Sequence, residues 1–194
     1  MTIHRVCVYC ASSRQIDAAY LDAANRLGRM LARNSIAIVY GGGAVGLMGQ
    51  LADGALAEGG EVIGILPKFM HELEWGHPRL SELRLVNDLH ERKRLMIDGA
   101  DAVVALPGGS GTLDELFEAI SLKRLGLFLN PIVMVNVRDF FRPALDLLER
   151  CIEERFMDPR HRSMWTVIQT PEEVIAAIGS APPWSADARS FAAI

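Results

Sequence analysis

The residues best suited to do chemistry in this 194-residue chain lie in one stretch, Pro107-Gly108-Gly109-Ser110-Gly111-Thr112-Leu113-Asp114-Glu115. Glycines carry no Cβ, so successive backbone N–H groups can converge on an anion. A helix opening here adds its unpaired N–H groups and the positive end of its dipole. That chemistry suits a phosphate, with the Thr112 hydroxyl as a further donor. The spacing of Thr112 and Glu115 also matches S/T-x-x-E, a capping box that stabilises a helix start by about 1 kcal/mol. Both readings stand on spacing alone. In the first, Glu115 sits one turn into the helix and faces the ribose of a nucleotide whose phosphate the loop holds.

Two other groups of residues compete for a role. His90-Glu91-Arg92-Lys93-Arg94 reads either as a solvated helix face capped by Asp88 or as a helix from which Arg92 leans over the site. Arginine fits the second role because its planar fork pairs with two oxygens. Gly41, Gly43 and Gly46 form a G-x-G-x-x-G after an apolar strand. The motif follows the second strand rather than the first, and no acidic residue follows the next strand, so it is a poor NAD fingerprint. It reads as a tight strand-to-helix turn or as a phosphate or ribose contact. Neither loop has the Gly-Lys-Ser/Thr of a P-loop. Cys7 and Cys10 form a CxxC inside an apolar strand, without a second pair or clustered histidines. They read as small buried hydrophobes rather than as a zinc or redox site.

The elements that must position these groups follow from the hydrophobic pattern. Short apolar strands are expected over 3–9, 36–40, 61–66, 83–86, 101–106 and 132–135, with a strand-like run over 165–168. Helical spacing covers 18–33, 46–58, 88–99, 112–124, 140–154 and 171–178. Residues 68–82 read as a loop with room for a short helix. Continuous apolar strands alternating with helices predict an α/β fold, a parallel sheet with helices on both faces. In such sheets ligands bind beyond the carboxyl ends of the strands. One domain is expected over 1–180, followed by a flexible tail over 181–194.

Composition limits the function classes. Twenty basic and 24 acidic residues give a net charge of −4, which disfavours an obligate nucleic-acid binder. Three cysteines cannot build a disulfide scaffold. No apolar run approaches the roughly 20 residues of a membrane span, and the first residues lack a signal-peptide cleavage region. A cytoplasmic protein is expected.

With these motifs in place, the chain resembles the LONELY GUY family, cytokinin-activating phosphoribohydrolases long labelled lysine decarboxylases. The resemblance covers residues 4–178. Val6-Cys7-Val8-Tyr9-Cys10-Ala11-Ser12-Ser13, Val39-Tyr40-Gly41-Gly42-Gly43, His90-Glu91-Arg92-Lys93 and the PGGxGTxxE element at 107–115 carry it. It implies a single Rossmann-like domain, a homodimer and no metal or organic cofactor. It implies hydrolysis of the N-glycosidic bond of N6-substituted adenosine 5′-monophosphates, and of AMP, to free base and ribose 5-phosphate. By motif, Arg92 and Glu115 are the catalytic pair. Gly109, Ser110, Gly111 and Thr112 hold the phosphate, and Ser13, Gly42, Gly43 and Lys93 line the nucleotide site. The chain departs from the family pattern at Ala11, Leu89 and Ser121-Leu122, where Gly, Met and Thr-Trp are common. The alternatives are a nucleotide nucleosidase of broader specificity and a non-catalytic carrier of nucleotide or molybdenum cofactor.

Overall fold

The computed structural model describes residues 2–73 and 75–192. Seven strands form one sheet: β1 (Arg5–Tyr9), β2 (Ala37–Tyr40), β3 (Val62–Pro67), β4 (Glu82–Val86), β5 (Ala102–Ala105), β6 (Ile132–Val135) and β7 (Trp165–Ile168). Their order is β4-β3-β2-β1-β5-β6-β7, and every pairing is parallel. Among the described residues seven α-helices accompany them: α1 (Ala18–Arg33), α2 (Gly46–Ala57), α3 (Lys68–Glu72), α4 (Leu89–Ile97), α5 (Ser110–Arg124), α6 (Arg142–Glu153) and α7 (Val174–Ser180). The expected strands and long helices are all present, and α3 is the short helix allowed for in 68–82.

Side chains alternate along each strand, so β1 feeds two cores. Val6, Val8 and Cys10 join the core beneath α1, α2 and α7. Cys7 and Tyr9 join the core beneath α4, α5 and α6. Cys7 and Cys10 therefore lie in different layers, each closed to solvent, and burial raises both thiols far above their ordinary range. They behave as small hydrophobes.

Chain direction across the sheet reverses at β1. Strands β2 to β4 step outward on one side, and α4 then returns the chain to β5 on the other. The chain leaves β1 for α1 on one face of the sheet and leaves β5 for α5 on the other, and parallel sheets use the crevice between two such loops for ligands. Ala11 N–H donates to the Pro107 carbonyl at 3.3 Å across this junction.

The segment after Ala181, expected to be a flexible tail, carries a 3-10 turn at Ala186–Phe191 that packs on the domain. Trp184 Nε1 donates to the Lys123 carbonyl at 2.7 Å, and Arg189 Nε donates to the Leu125 carbonyl at 3.0 Å. The Trp184 and Phe191 rings pack with the imidazole of the buried His161. Composition misses this because the contacts come from two isolated aromatics. Ala193 and Ile194 of the expected tail, and Glu74 of the expected loop, lie outside the described residues.

Candidate active site

The second glycine loop links β5 to α5. The helix begins at Ser110 with Gly109 as its N-cap, and no side chain caps it. The expectation of a Thr112–Glu115 capping box is therefore corrected: Thr112 lies inside the first turn, and the Glu115 carboxylate is engaged elsewhere. The first intrahelical bond runs from Leu113 N–H to the Gly109 carbonyl at 3.0 Å, so the amides of Ser110, Gly111 and Thr112 precede it. Gly109, Ser110 and Gly111 are exposed. A Cβ on Gly109 or Gly111 would meet nothing within 4 Å, which leaves open space over these amides. Thr112 is buried against Gly108, where a Cβ would fall 2.1 Å from its hydroxyl.

Helix α4 delivers the cation. Asp88 caps it by accepting from the His90 and Glu91 amides at 2.8 Å each. Arg92 then points inward beneath the loops. Its Nη1 donates to Glu115 Oε1 at 2.9 Å, its Nε to the Ile65 carbonyl at 3.1 Å, and its Nη2 to the Gly41 carbonyl at 3.3 Å. Arg92 is thus both capped by Asp88 through its helix and committed to the site. Glycine at 41 is what lets the guanidinium in, because a Cβ there would lie 1.9 Å from Nη2.

Glu115 is 4% exposed. Burial pushes its carboxyl up to about 7, while Arg92 and Lys93 pull it down and Asp114 and Glu118 add to the rise. A carboxyl titrating near neutrality beside a fixed guanidinium is suited to acid–base or electrostatic work.

The remaining expected residues are placed as follows. Ser13 is exposed beyond the carboxyl end of β1, and its Oγ accepts from Gln15 N–H at 3.3 Å. Gly42 and Gly43 are buried directly after Gly41. Their carbonyls are already used: Gly42 accepts from His77 N–H at 2.9 Å, and Gly43 from the Tyr40 hydroxyl at 3.0 Å. Lys93 turns to α5, with Nζ 2.9 Å from Asp114 Oδ2 and 2.5 Å from Glu118 Oε2.

Sequence reasoning missed the strap over the first glycine loop. Gly43 and Gly76 form an antiparallel bridge, and Ala44 N–H donates to the Trp75 carbonyl at 3.0 Å. His77 locks the strap from the side. It is buried, its Nδ1 accepts from Arg79 N–H at 3.2 Å, and its Nε2 lies 3.3 Å from Asp53 Oδ1. A histidine inside an irregular polar stretch was the only signal available.

Comparison with known proteins agrees with this architecture. Residues 48–178 match the family model described as "Possible lysine decarboxylase". A cytokinin riboside 5′-monophosphate phosphoribohydrolase of Rhodococcoides fascians is 42% identical over 176 residues, covering 90% of this chain and 89% of that protein. A probable enzyme of the same name from Oryza sativa subsp. japonica is 39% identical over 179 residues, covering 92% of this chain and 73% of that protein. Among solved structures, the molybdenum cofactor carrier protein of Chlamydomonas reinhardtii superposes with a TM-score of 0.71 at 20% identity, covering 92% of this chain and 98% of that one. At that identity the likeness is one of fold. By the family model and these relatives, the chain belongs to the LONELY GUY family of cytokinin riboside 5′-monophosphate phosphoribohydrolases.

Proposed function

We propose that this protein hydrolyses the N-glycosidic bond of N6-modified adenosine 5′-monophosphates, and of AMP, releasing the free base and ribose 5-phosphate. The observation that carries the reading is the buried Arg92–Glu115 pair one helical turn from three uncommitted amides, at the crevice where the sheet reverses. The 5′-phosphate docks on the amides of Ser110, Gly111 and Thr112 and on the Thr112 hydroxyl, with Gly109 leaving room for its approach. This remote contact positions the sugar. Ser13, Gly42 and Gly43 line the adjoining wall. Glu115 faces C1′.

As the C1′–N9 bond breaks, its electron pair leaves with the base and positive charge grows on the ribose. The Glu115 carboxylate offsets that charge, as carboxylates do in glycoside hydrolysis. A water oxygen bonds to C1′, and the proton it loses balances the one the departing base takes up. Arg92 holds the carboxylate in place and offsets part of the cost of ionising it in a buried site.

The test is chromatographic. Purified protein is incubated with AMP and N6-isopentenyl-AMP, beside the matching nucleosides and a Glu115→Gln control. Base and ribose 5-phosphate from the nucleotides alone, lost in the control, support the reading. A folded wild-type protein that binds nucleotide and releases no product overturns it in favour of a carrier.

The protein is also proposed to act as a homodimer. Leu125, Leu127 and Leu129, in the turn between α5 and β6, are 46%, 60% and 42% exposed and supply an apolar contact. Ile120 and Phe128 nearby are buried in the protein's own core and take no part in that surface. Sedimentation of a monomer at micromolar protein overturns the dimer.

A further inference from the structure

Lys93 follows Arg92 on α4 but turns to a different task. Its side chain is 14% exposed, and its ammonium sits between Asp114 Oδ2 at 2.9 Å and Glu118 Oε2 at 2.5 Å. Those two carboxylates lie four residues apart on α5, so they share a face, and Glu115 lies beside them on the face turned inward. Glu118 Oε2 is closed to solvent, so the Lys93 ammonium 2.5 Å away is what balances it. Consecutive residues of α4 therefore make two separate clamps on α5, Arg92 through Glu115 and Lys93 through Asp114 and Glu118.

We propose that Lys93 is a positioning residue, which locks α5 to α4 so that Glu115 meets Arg92 and offsets the two carboxylates that flank Glu115. This rests on Glu115 being the working carboxylate of the proposed hydrolysis. It departs from the motif-based expectation that Lys93 touches the nucleotide, because the ammonium is already shared between two carboxylates. The titratable and charged groups around Glu115 come from the elements packed about it. Arg92 and Lys93 lie on α4, and Asp114 and Glu118 on α5. Cys7 and Tyr9 face it from β1, Cys10 lies just past that strand in the opposite layer, and burial keeps all three protonated and neutral. With Glu115 ionised, two cations meet three carboxylates. Without Lys93, one cation meets three, and a buried carboxylate at the centre becomes harder to ionise.

The experiment compares pH profiles of kcat/KM on AMP for wild type, Lys93→Met, Lys93→Arg and Lys93→Met with Glu118→Gln. Glu115 is followed in parallel by a carboxyl 13C NMR titration without substrate. For Lys93→Met the acid limb is expected to move to higher pH by about one unit, an activity loss of about tenfold at pH 6 that shrinks toward pH 9. Lys93→Arg and the double variant are expected to move it back. Should Lys93→Met not fold, Glu118→Gln alone decides, and its acid limb is expected to move to lower pH. A phosphate ligand behaves otherwise: KM rises, with the same fold-loss at every pH and an unmoved Glu115 titration, and that result overturns the proposal. If wild type cleaves no nucleotide, the proposed hydrolysis fails, yet the NMR titration still decides the role of Lys93.

Discussion

Arg92 Nη1 donates to Glu115 Oε1 at 2.9 Å, and neither side chain is more than a tenth open to solvent. Such a pair is costly to desolvate and is weak evidence for stability by itself. It persists here because the guanidinium has two further acceptors, the Ile65 and Gly41 carbonyls. Three contacts from one planar group fix the carboxylate relative to three parts of the site: β3, the first glycine loop and α5.

Arg92→Lys tests that geometry. The charge remains, but one ammonium cannot reach three acceptors spread around a planar fork. Turnover of AMP is expected to fall by on the order of 100-fold, the usual effect of losing a fixed donor at a reacting centre. Stability is expected to fall by about 1–3 kcal/mol, because at least one buried carbonyl loses its donor. Kinetics alongside urea denaturation separate the two effects.

Glu115 also couples folding to pH. Its carboxyl is raised from 4.5 to about 7, mainly by burial. Between those values the folded protein holds a proton that the unfolded chain has released. Stability therefore falls as pH rises through that window, and the group contributes most favourably below it. Glu115→Gln is expected to remove this dependence, a difference on the order of 2 kcal/mol between pH 4.5 and 8. Activity runs the other way, rising through about pH 7 as the carboxylate forms. Urea titrations of both proteins at several pH values check the first claim, and the wild-type rate profile checks the second.

The architecture was legible because the central strands are short apolar runs bounded by glycine, proline or polar residues, while the edge strand β4 carries Glu82 and Arg84. Val6 to Tyr9 and Ala102 to Ala105 are buried throughout and pair side by side as their pattern requires. Arg92 and Glu115 were legible as candidates from motif spacing. Their contact was not, because Arg92 is equally at home on a solvated helix face until α4 is packed. The start of α5 is ambiguous in the sequence for a related reason. S/T-x-x-E satisfies a helix start locally, but Arg92 takes the carboxylate and Gly109 takes the cap position. The partners of Lys93 and the seating of Trp184 and Phe191 depend on contacts between distant segments, which residue spacing does not encode.

Two glycines on the two loops are expected to behave oppositely. A Cβ on Gly41 would lie 1.9 Å from Arg92 Nη2, so Gly41→Ala must displace the guanidinium or the loop. A stability loss of about 1–3 kcal/mol with a large drop in turnover is expected. Gly109 has open space around its Cβ direction and a negative φ of −83°. Gly109→Ala is expected to melt within a few degrees of wild type while raising KM for nucleotide. Equal effects of both substitutions on melting would contradict the view that only the first glycine is needed for packing.

The far end of α5 offers a contrasting test, because Lys123 is buried without a carboxylate among its described partners. It is 1% exposed, its Nζ donates to the Asn130 carbonyl at 2.7 Å, and burial lowers its ammonium from 10.5 to about 8. Between those values the unfolded chain holds a proton that the folded protein has lost, so stability rises with pH through the window. Lys123→Met keeps the length of the side chain and removes the charge. At pH 7 the variant is expected to be more stable than wild type by roughly 2 kcal/mol, since desolvating an ammonium outweighs one hydrogen bond to a carbonyl. By pH 10 the advantage is expected to shrink, because wild type has by then shed the proton. Melting temperatures of both proteins at pH 7 and 10 measure this. A variant less stable than wild type at pH 7 would mean that the bond to Asn130, which ties α5 to the start of β6, contributes more than the burial of the charge costs.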